Sequence, residues 1–261
     1  MKVLIKIGGT LLDSPESRHR LAREIGASMA NGAAVVVVHG GGQQMTRFLA
    51  ERGIESTFVN GLRVTSHQVL DAVLKVFAGT VNHQLVGAFS AAGVRAVGLT
   101  GMDAFLTEAE LIAPELGFVG KPVRSDPAVL ELLTQHGYLP VVACVAGDRQ
   151  GNFYNVNADQ MAVACAAAFG ADRLLFLTDV EGVRNAQSQI CAQLTLAQCE
   201  ALIETGVATG GMRAKLDAAS DALRRGVPQI VIAPGMQAGI VQDLLAGKPV
   251  GTLLVPEPAH E

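Results

Sequence analysis

Two lysines and an aspartate, far apart in the chain, stand where a charge is costly unless another charge meets it. Lys6 interrupts the apolar run VLIKI, Val3 to Ile7. An ammonium inside such a strand costs several kcal/mol of desolvation unless an anion or a carboxylate lies beside it. The alternative is a stem laid along apolar surface with its head in water at the strand end. Lys215, in TGGMRAK (Thr209 to Lys215), is placed in the first turn of a helix, where the dipole disfavours a cation. No acid at Gly211 or Ala219 offsets it, so a bound phosphate and a solvated surface lysine read equally well. Asp159 belongs to NVNADQMA (Asn155 to Ala162), a helix start with Asn157 as N-cap and Gln160 completing a capping box. An acid there either complements the helix dipole or holds two lysines in position, and these residues leave both readings open.

Glycines cluster where strands end: KIGGT (Lys6 to Thr10), HGGGQQ (His39 to Gln44), LTDVEGV (Leu177 to Val183) and the TGG that opens a later helix. Consecutive glycines at a strand-to-helix turn let main-chain N–H groups approach an anion, although tight turns alone also produce such clusters. The chain has neither GxxxxGK[ST] nor a GxGxxG after a strand, so a phosphate site must be of another kind. Arg63 in GLRVT falls on a loop, where it is either solvated or a bidentate partner for a carboxylate. Thr65 or Ser66 caps the next helix, and His39 is packed or hydrogen-bonded beside the glycines rather than catalytic. The histidine spacing suits no metal, and no Ser, His, Asp nucleophile pattern appears.

The elements that must position these residues alternate between strand and helix. Apolar runs without period-2 alternation begin at Val3, before His39, at Val94, Leu139, Arg173, Gln229 and Thr252. Such runs are strands covered on both faces, hence a mostly parallel sheet between helices. A helix starts near Ser14 with Pro15 and stops at Gly32, and Ala158 to Phe169 is apolar enough to lie tightly on the sheet. The stretch from Gly101 to Ser125 reads as hairpins at the sheet edge, and a lobe boundary falls near Asp172.

At 261 residues, with 49% hydrophobic residues, the chain can bury a substantial core. A net charge of -4 gives no basic face for nucleic acid. The opening MKVLIKIGGTLLD lacks a signal-peptide core because Lys6 and Asp13 interrupt it, and no stretch approaches the roughly 20 apolar residues of a membrane span. Cys144, Cys165, Cys191 and Cys199 show no CxxC spacing, and the reading is a reducing cytoplasm.

In their order and spacing, KIGGT, HGGGQQ, GLRVT, NVNADQMA, LTDVEGV and GGMRAK resemble the amino acid kinase superfamily, from Lys2 to about Val255. The pairing of GLRVT with NVNAD is the most specific part of the resemblance. It implies an α/β fold, an αβα sandwich with a mostly parallel central sheet. Residues 1–171 would form an N-terminal lobe for acyl amino acid binding and dimerisation, and 172–261 a C-terminal ATP lobe on one continuous sheet. It implies ATP-dependent phosphorylation of the γ-carboxylate of N-acetyl-L-glutamate in arginine biosynthesis, with Mg²⁺ bound mainly through the nucleotide. By the same resemblance Lys6 and Lys215 stabilise the transferring phosphoryl group and Asp159 organises them. Gly41 and Gly42 contact the substrate, while Arg63 and Asn155 hold its α-carboxylate side. Asp179, Val180, Glu181, Gly182, Val183 and Arg184, with Val207, Ala208 and Thr209, contact the nucleotide. Another acylated acidic amino acid, N-succinylglutamate or a carrier-linked aminoadipate, and a non-catalytic sensor stay open as alternatives. Arginine-inhibited members carry an extra N-terminal helix, whereas here the first strand begins almost at Met1. A homodimer insensitive to arginine is therefore expected.

Overall fold

The structure, a computed structural model, describes residues 1–257, so the last four residues of the expected 172–261 lobe lie outside it. Strands β1 (Lys2–Ile7), β2 (Ala34–His39), β3 (Phe58–Val59), β4 (Leu62–Arg63), β5 (Ala96–Thr100), β6 (Thr107–Leu111) and β7 (Val119–Ser125) come from the first half. They are followed by β8 (Leu139–Ala143), β9 (Val145–Gly147), β10 (Phe153–Val156), β11 (Arg173–Thr178), β12 (Gln193–Thr195), β13 (Ile230–Pro234) and β14 (Thr252–Val255). Eight of them form one sheet in the order β12, β14, β13, β11, β1, β2, β8, β5. Every neighbouring pair is parallel except β13 with β14. All seven apolar runs expected as strands lie in this sheet, and β12 at its edge is an addition.

The helices are α1 (Pro15–Ala30), α2 (Gly42–Ala50), α3 (His67–Val73), α4 (Asn82–Ala91), α5 (Ala128–Gln135), α6 (Ala158–Phe169), α7 (Leu196–Glu204), α8 (Gly210–Arg224) and α9 (Ile240–Leu245). On one face α1 packs against α4 and α9; on the other, α6 packs against α8 and lies along β1, β2 and β11. β1 and β2 are buried almost throughout because both faces are covered. Ser14 caps α1 by accepting from Ser17 N at 3.2 Å, and Gly32 follows the helix with φ +87°.

The sheet runs unbroken past Asp172, whose carboxylate accepts from Lys2 N at 2.7 Å, because β11 pairs directly with β1. The stretch from Gly101 to Ser125 departs from the sequence reading. Its two strands do form a hairpin, but they close with β9 and β10 into a separate four-stranded barrel rather than extending the sheet edge. Between α3 and α4, Leu74–Val81 winds as a π-helix, and this wider turn sets Phe77 and Val81 against Gly41.

Candidate active site

Lys6, Asp159 and Lys215 meet beyond the carboxyl end of β1. Lys6 Nζ lies 2.7 Å from Asp159 Oδ1, and Lys215 Nζ lies 3.8 Å from Oδ2 of the same carboxylate. Their side chains are 10%, 9% and 19% exposed for Lys6, Asp159 and Lys215, which makes this a desolvated cluster with a net positive charge. The Lys6 contact is an ion pair at hydrogen-bond distance. Burial works to raise the Asp159 pKa, but the Lys6 and Lys215 ammonium groups outweigh it and leave the pKa below the ordinary carboxylate value.

Local sequence explains each placement. Lys6 pairs in register with Val38 and Phe176 in the middle of the sheet, so its backbone is fixed on both sides. Asn157 caps α6 through Oδ1, which accepts from Asp159 N at 2.8 Å and Gln160 N at 3.2 Å, and this sets Asp159 on the first turn. A full capping box occurs instead at Thr195 and Gln198 on α7. Lys215 is not in the first turn: α8 starts at Gly210, because the Thr209 carbonyl already accepts from Met212 N and Arg213 N, so Lys215 is the sixth helical residue. The dipole conflict read from sequence is correspondingly weaker, and the close lysine pair around one acid, with its net positive charge, is the stronger sign of an anion-binding site.

Gly8 holds the Lys6 head in place by leaving room for it. A Cβ at Gly8 would lie 2.6 Å from Lys6 Nζ, while the backbone there is extended (φ -133°, ψ 174°) and accepts alanine without strain. Gly8→Ala is therefore expected to leave thermal stability almost unchanged and to push Nζ off Asp159. Displacement of a catalytic group by about 1 Å can cost on the order of 100-fold. Steady-state kcat beside a melting curve checks this.

A cavity of about 150 Å³ adjoins the cluster, lined by Gly41, Gly42, Arg63, Asn155, Cys144 and Phe77 among others. Arg63 is not a solvated loop residue: it sits on β4, 8% exposed. Its guanidinium donates to Gly42 O at 3.2 Å, to Thr46 Oγ1 at 2.8 Å and to Ser56 Oγ, and stacks 4.6 Å from the Phe58 ring. Burial draws the Arg63 pKa down, yet a guanidinium stays cationic at neutral pH. Asn155 donates to the Oγ1 of buried Thr65 at 3.0 Å, which fixes the Asn155 amide, and Ser66 is the cap of α3. At Gly41, with φ +156°, a Cβ would fall 2.9 Å from Phe77 Cδ1. Sequence reading missed Phe77 and Cys144; the π turn that delivers Phe77 leaves no pattern in composition. Burial raises the Cys144 thiol to about 12, which keeps it protonated.

The segments expected at a nucleotide lie at the end of β11 and the start of α8. Asp179 accepts from Thr178 Oγ1 at 3.0 Å, and a Cβ on Gly9 would come within 3.9 Å of its Oδ2. Val180 is exposed, and Arg184 and Glu181 form an exposed ion pair at 2.7 Å. Val183 and Ala208 point into the core, where Val183 N donates to Thr252 Oγ1 at 2.8 Å and Ala208 N to Leu202 O at 2.9 Å. Gly182 packs against Thr252 and Gly251, Val207 precedes buried Ala208, and Thr209 is the N-cap residue of α8. Among the described residues no cluster of His, Cys, Asp or Glu could hold a metal ion, and no helix is long and apolar enough to cross a membrane. A larger cavity of about 440 Å³ opens at the opposite end of the strands, beside Val35, Val94 and Tyr138; Arg95 is its one charged lining residue, and it holds none of the cluster.

Comparison with known proteins identifies the family of the chain. The family model described as the amino acid kinase family matches residues 1–234. An acetylglutamate kinase of Solibacter usitatus is 61% identical over 98% of this chain and 99% of its own length, and that of Brucella canis is 39% identical over 97% and 90%. Among solved structures, N-acetylglutamate synthase from Neisseria gonorrhoeae, complexed with coenzyme A and N-acetyl-glutamate, superposes with a TM-score of 0.88 at 24% identity. That match covers 99% of this chain and 60% of that longer one. Carbamate kinase from Giardia lamblia bound to AMP-PNP gives 0.73 at 17% identity over 98% of both chains. These two likenesses show a shared fold, while the family match and the identities go further: the chain belongs to the amino acid kinase family.

Proposed function

We propose that this chain is an acetylglutamate kinase, phosphorylating the γ-carboxylate of N-acetyl-L-glutamate with ATP in arginine biosynthesis. The observation that carries the reading is the pair of ammonium groups on one carboxylate, Lys6 buried and Lys215 half-buried, opening beside a cavity that has an arginine at its wall. Full-length identity of 61% to a protein of that name supports the choice of substrate.

The chemistry asks little of the protein beyond placement and charge. A side-chain carboxylate is ionised at neutral pH, so one of its oxygens attacks the γ-phosphorus directly and no general base is needed. The new O–P bond forms as the bond from the γ-phosphorus to the β,γ-bridging oxygen breaks, and ADP leaves with that electron pair. Lys6 and Lys215 neutralise charge on the transferring oxygens, and Asp159 holds the two ammonium groups in place. Gly41 and Gly42 present N–H groups near the acceptor, and Asn155 with Arg63 orients its α-carboxylate side. Mg²⁺ bound through the nucleotide phosphates would supply further charge neutralisation. Asp179 to Arg184 and Val207 to Thr209 form the nucleotide side; their core-facing members, Val183 and Ala208, act by shaping the backbone. Residues 1–171 would carry the acyl amino acid and a homodimer contact, and 172–261 the ATP.

Arg63→Lys keeps the charge but loses the forked contact to Gly42, Thr46 and Ser56. It is expected to raise KM for the acyl amino acid roughly tenfold or more, with KM for ATP little changed, because bidentate positioning is what a lysine cannot supply. An ADP-release screen over N-acetylglutamate, N-succinylglutamate, glutamate and aspartate tests the function itself. Preference for N-acetylglutamate is the expected result; preference for another acceptor, or ATP binding with no ADP released, would reassign the chain.

A further inference from the structure

A buried polar pair next to the cavity has no place in the reaction so far. His39, the last residue of β2, is fully buried, with Nδ1 2.8 Å from the carbonyl oxygen of Gly40 and Nε2 3.0 Å from Nδ2 of Asn82 on α4. The same Nδ2 lies 2.9 Å from the carbonyl oxygen of Val141. A carbonyl only accepts, so this atom is the amide nitrogen and not the oxygen of a rotated amide. An NH₂ group facing Nε2 only donates. Nε2 is therefore bare, and the one proton of the neutral ring sits on Nδ1, where it donates to Gly40. Burial keeps the imidazole neutral by lowering its pKa to about 4. Its neighbours in register on β1 and β8 are Ile7 and Ala143, and no charged side chain contributes to that shift. Asn82 is pinned in turn, since a Cβ on Gly98 would fall 2.0 Å from its Oδ1.

The peptide joining Gly40 to Gly41 is trans, so its C=O and N–H point to opposite sides. With the C=O turned onto the buried ring, the N–H of Gly41 turns away from it. Gly41 lines the cavity, and among the described residues its N–H meets no acceptor. We infer that His39, fixed in its Nδ1–H tautomer by Asn82, is a positioning residue that locks the Gly40–Gly41 peptide with the Gly41 N–H directed at the acceptor site. The tautomer stands on geometry alone, whereas the destination of the N–H rests on the proposed reaction.

Two measurements on the full chain test it. A long-range ¹H–¹⁵N correlation spectrum of the histidine-labelled protein should show His39 with a protonated Nδ1 and a bare Nε2 throughout about pH 6 to 8. The opposite tautomer, or a ring that titrates in that range, overturns the inference. In kinetics, His39→Gln carries its amide to the Nε2 end and loses the donor to Gly40, whereas His39→Asn keeps a donor near Nδ1. H39Q should lose about tenfold or more in kcat at little changed KM for ATP, and H39N should recover most of that loss. Equal losses in the two variants would mean that the ring serves packing only and would overturn the role. If no acceptor were phosphorylated by the wild-type protein, the proposed function would fall while the spectrum still decided the tautomer.

Discussion

Lys6→Ala is expected to lower kcat by roughly two to three orders of magnitude, the scale seen when one transition-state donor is removed. Lys6 is 10% exposed and 2.7 Å from its acid, so its charge acts through little intervening water. Among the described residues the other cation paired with this acid is Lys215, which comes from α8 and stays 3.8 Å from the other oxygen, so it does not take the place of Lys6. The loss should fall on kcat, with KM for ATP moving less than about tenfold, because an interaction made mainly in the transition state does not hold the ground state. Lys215→Ala should behave alike. Steady-state kinetics on a variant with unchanged circular dichroism checks both, and a loss of tenfold or less would remove Lys6 from the reaction.

Asp159→Asn has the larger effect on the fold. It leaves two ammonium groups, one of them almost wholly buried, with no shared anion, and removing one partner of such a cluster costs about 3–5 kcal/mol. Chemical denaturation should show that deficit at neutral pH, and saturating ATP should restore more stability to the variant than it adds to the wild type, because the phosphates replace the missing charge. The sign with pH follows from the depressed carboxyl. The Asp159 contribution is complete above its unfolded value of 3.8 and is lost as pH falls through the lower folded value. The stability gap between wild type and D159N should therefore be constant near neutrality and close below about pH 4. A gap that persists in acid would mean that the carboxyl acts by shape rather than by charge.

Much of this was legible before any coordinates. Unbroken apolar runs such as AVVVVH declared strands covered on both faces, and a lysine inside VLIKI called for an anion or a carboxylate beside it unless its head reached water, because the cost of leaving it unmatched is large; Asp159 is that carboxylate. The barrel was hidden: β9 has three residues and β10 four, the β6–β7 register shifts at Glu108 and Ala109, and only distant pairing closes the structure. Short strands that gain their partners from far along the chain leave little local pattern. Arg63 read as a loop residue because two-residue strands have no periodicity, and its burial comes from Ser56, Thr46 and Phe58. The pair of glycines at the start of α8 blurred where the helix begins, which moved Lys215 by a turn. Asn82 carried no signal, since an asparagine within a helix reads as an ordinary polar residue until Gly98 and His39 are seen around it.

The central claim is that an ionised acceptor carboxylate takes the γ-phosphoryl group directly between Lys6 and Lys215. Its most direct test is ³¹P NMR of the product formed from ATP and N-acetyl-L-glutamate carrying ¹⁸O in the side-chain carboxylate. An acyl phosphate with ¹⁸O in the bridge between carbon and phosphorus is the predicted result. Release of ADP with unlabelled inorganic phosphate and no acyl phosphate, trapped or observed, would contradict the account.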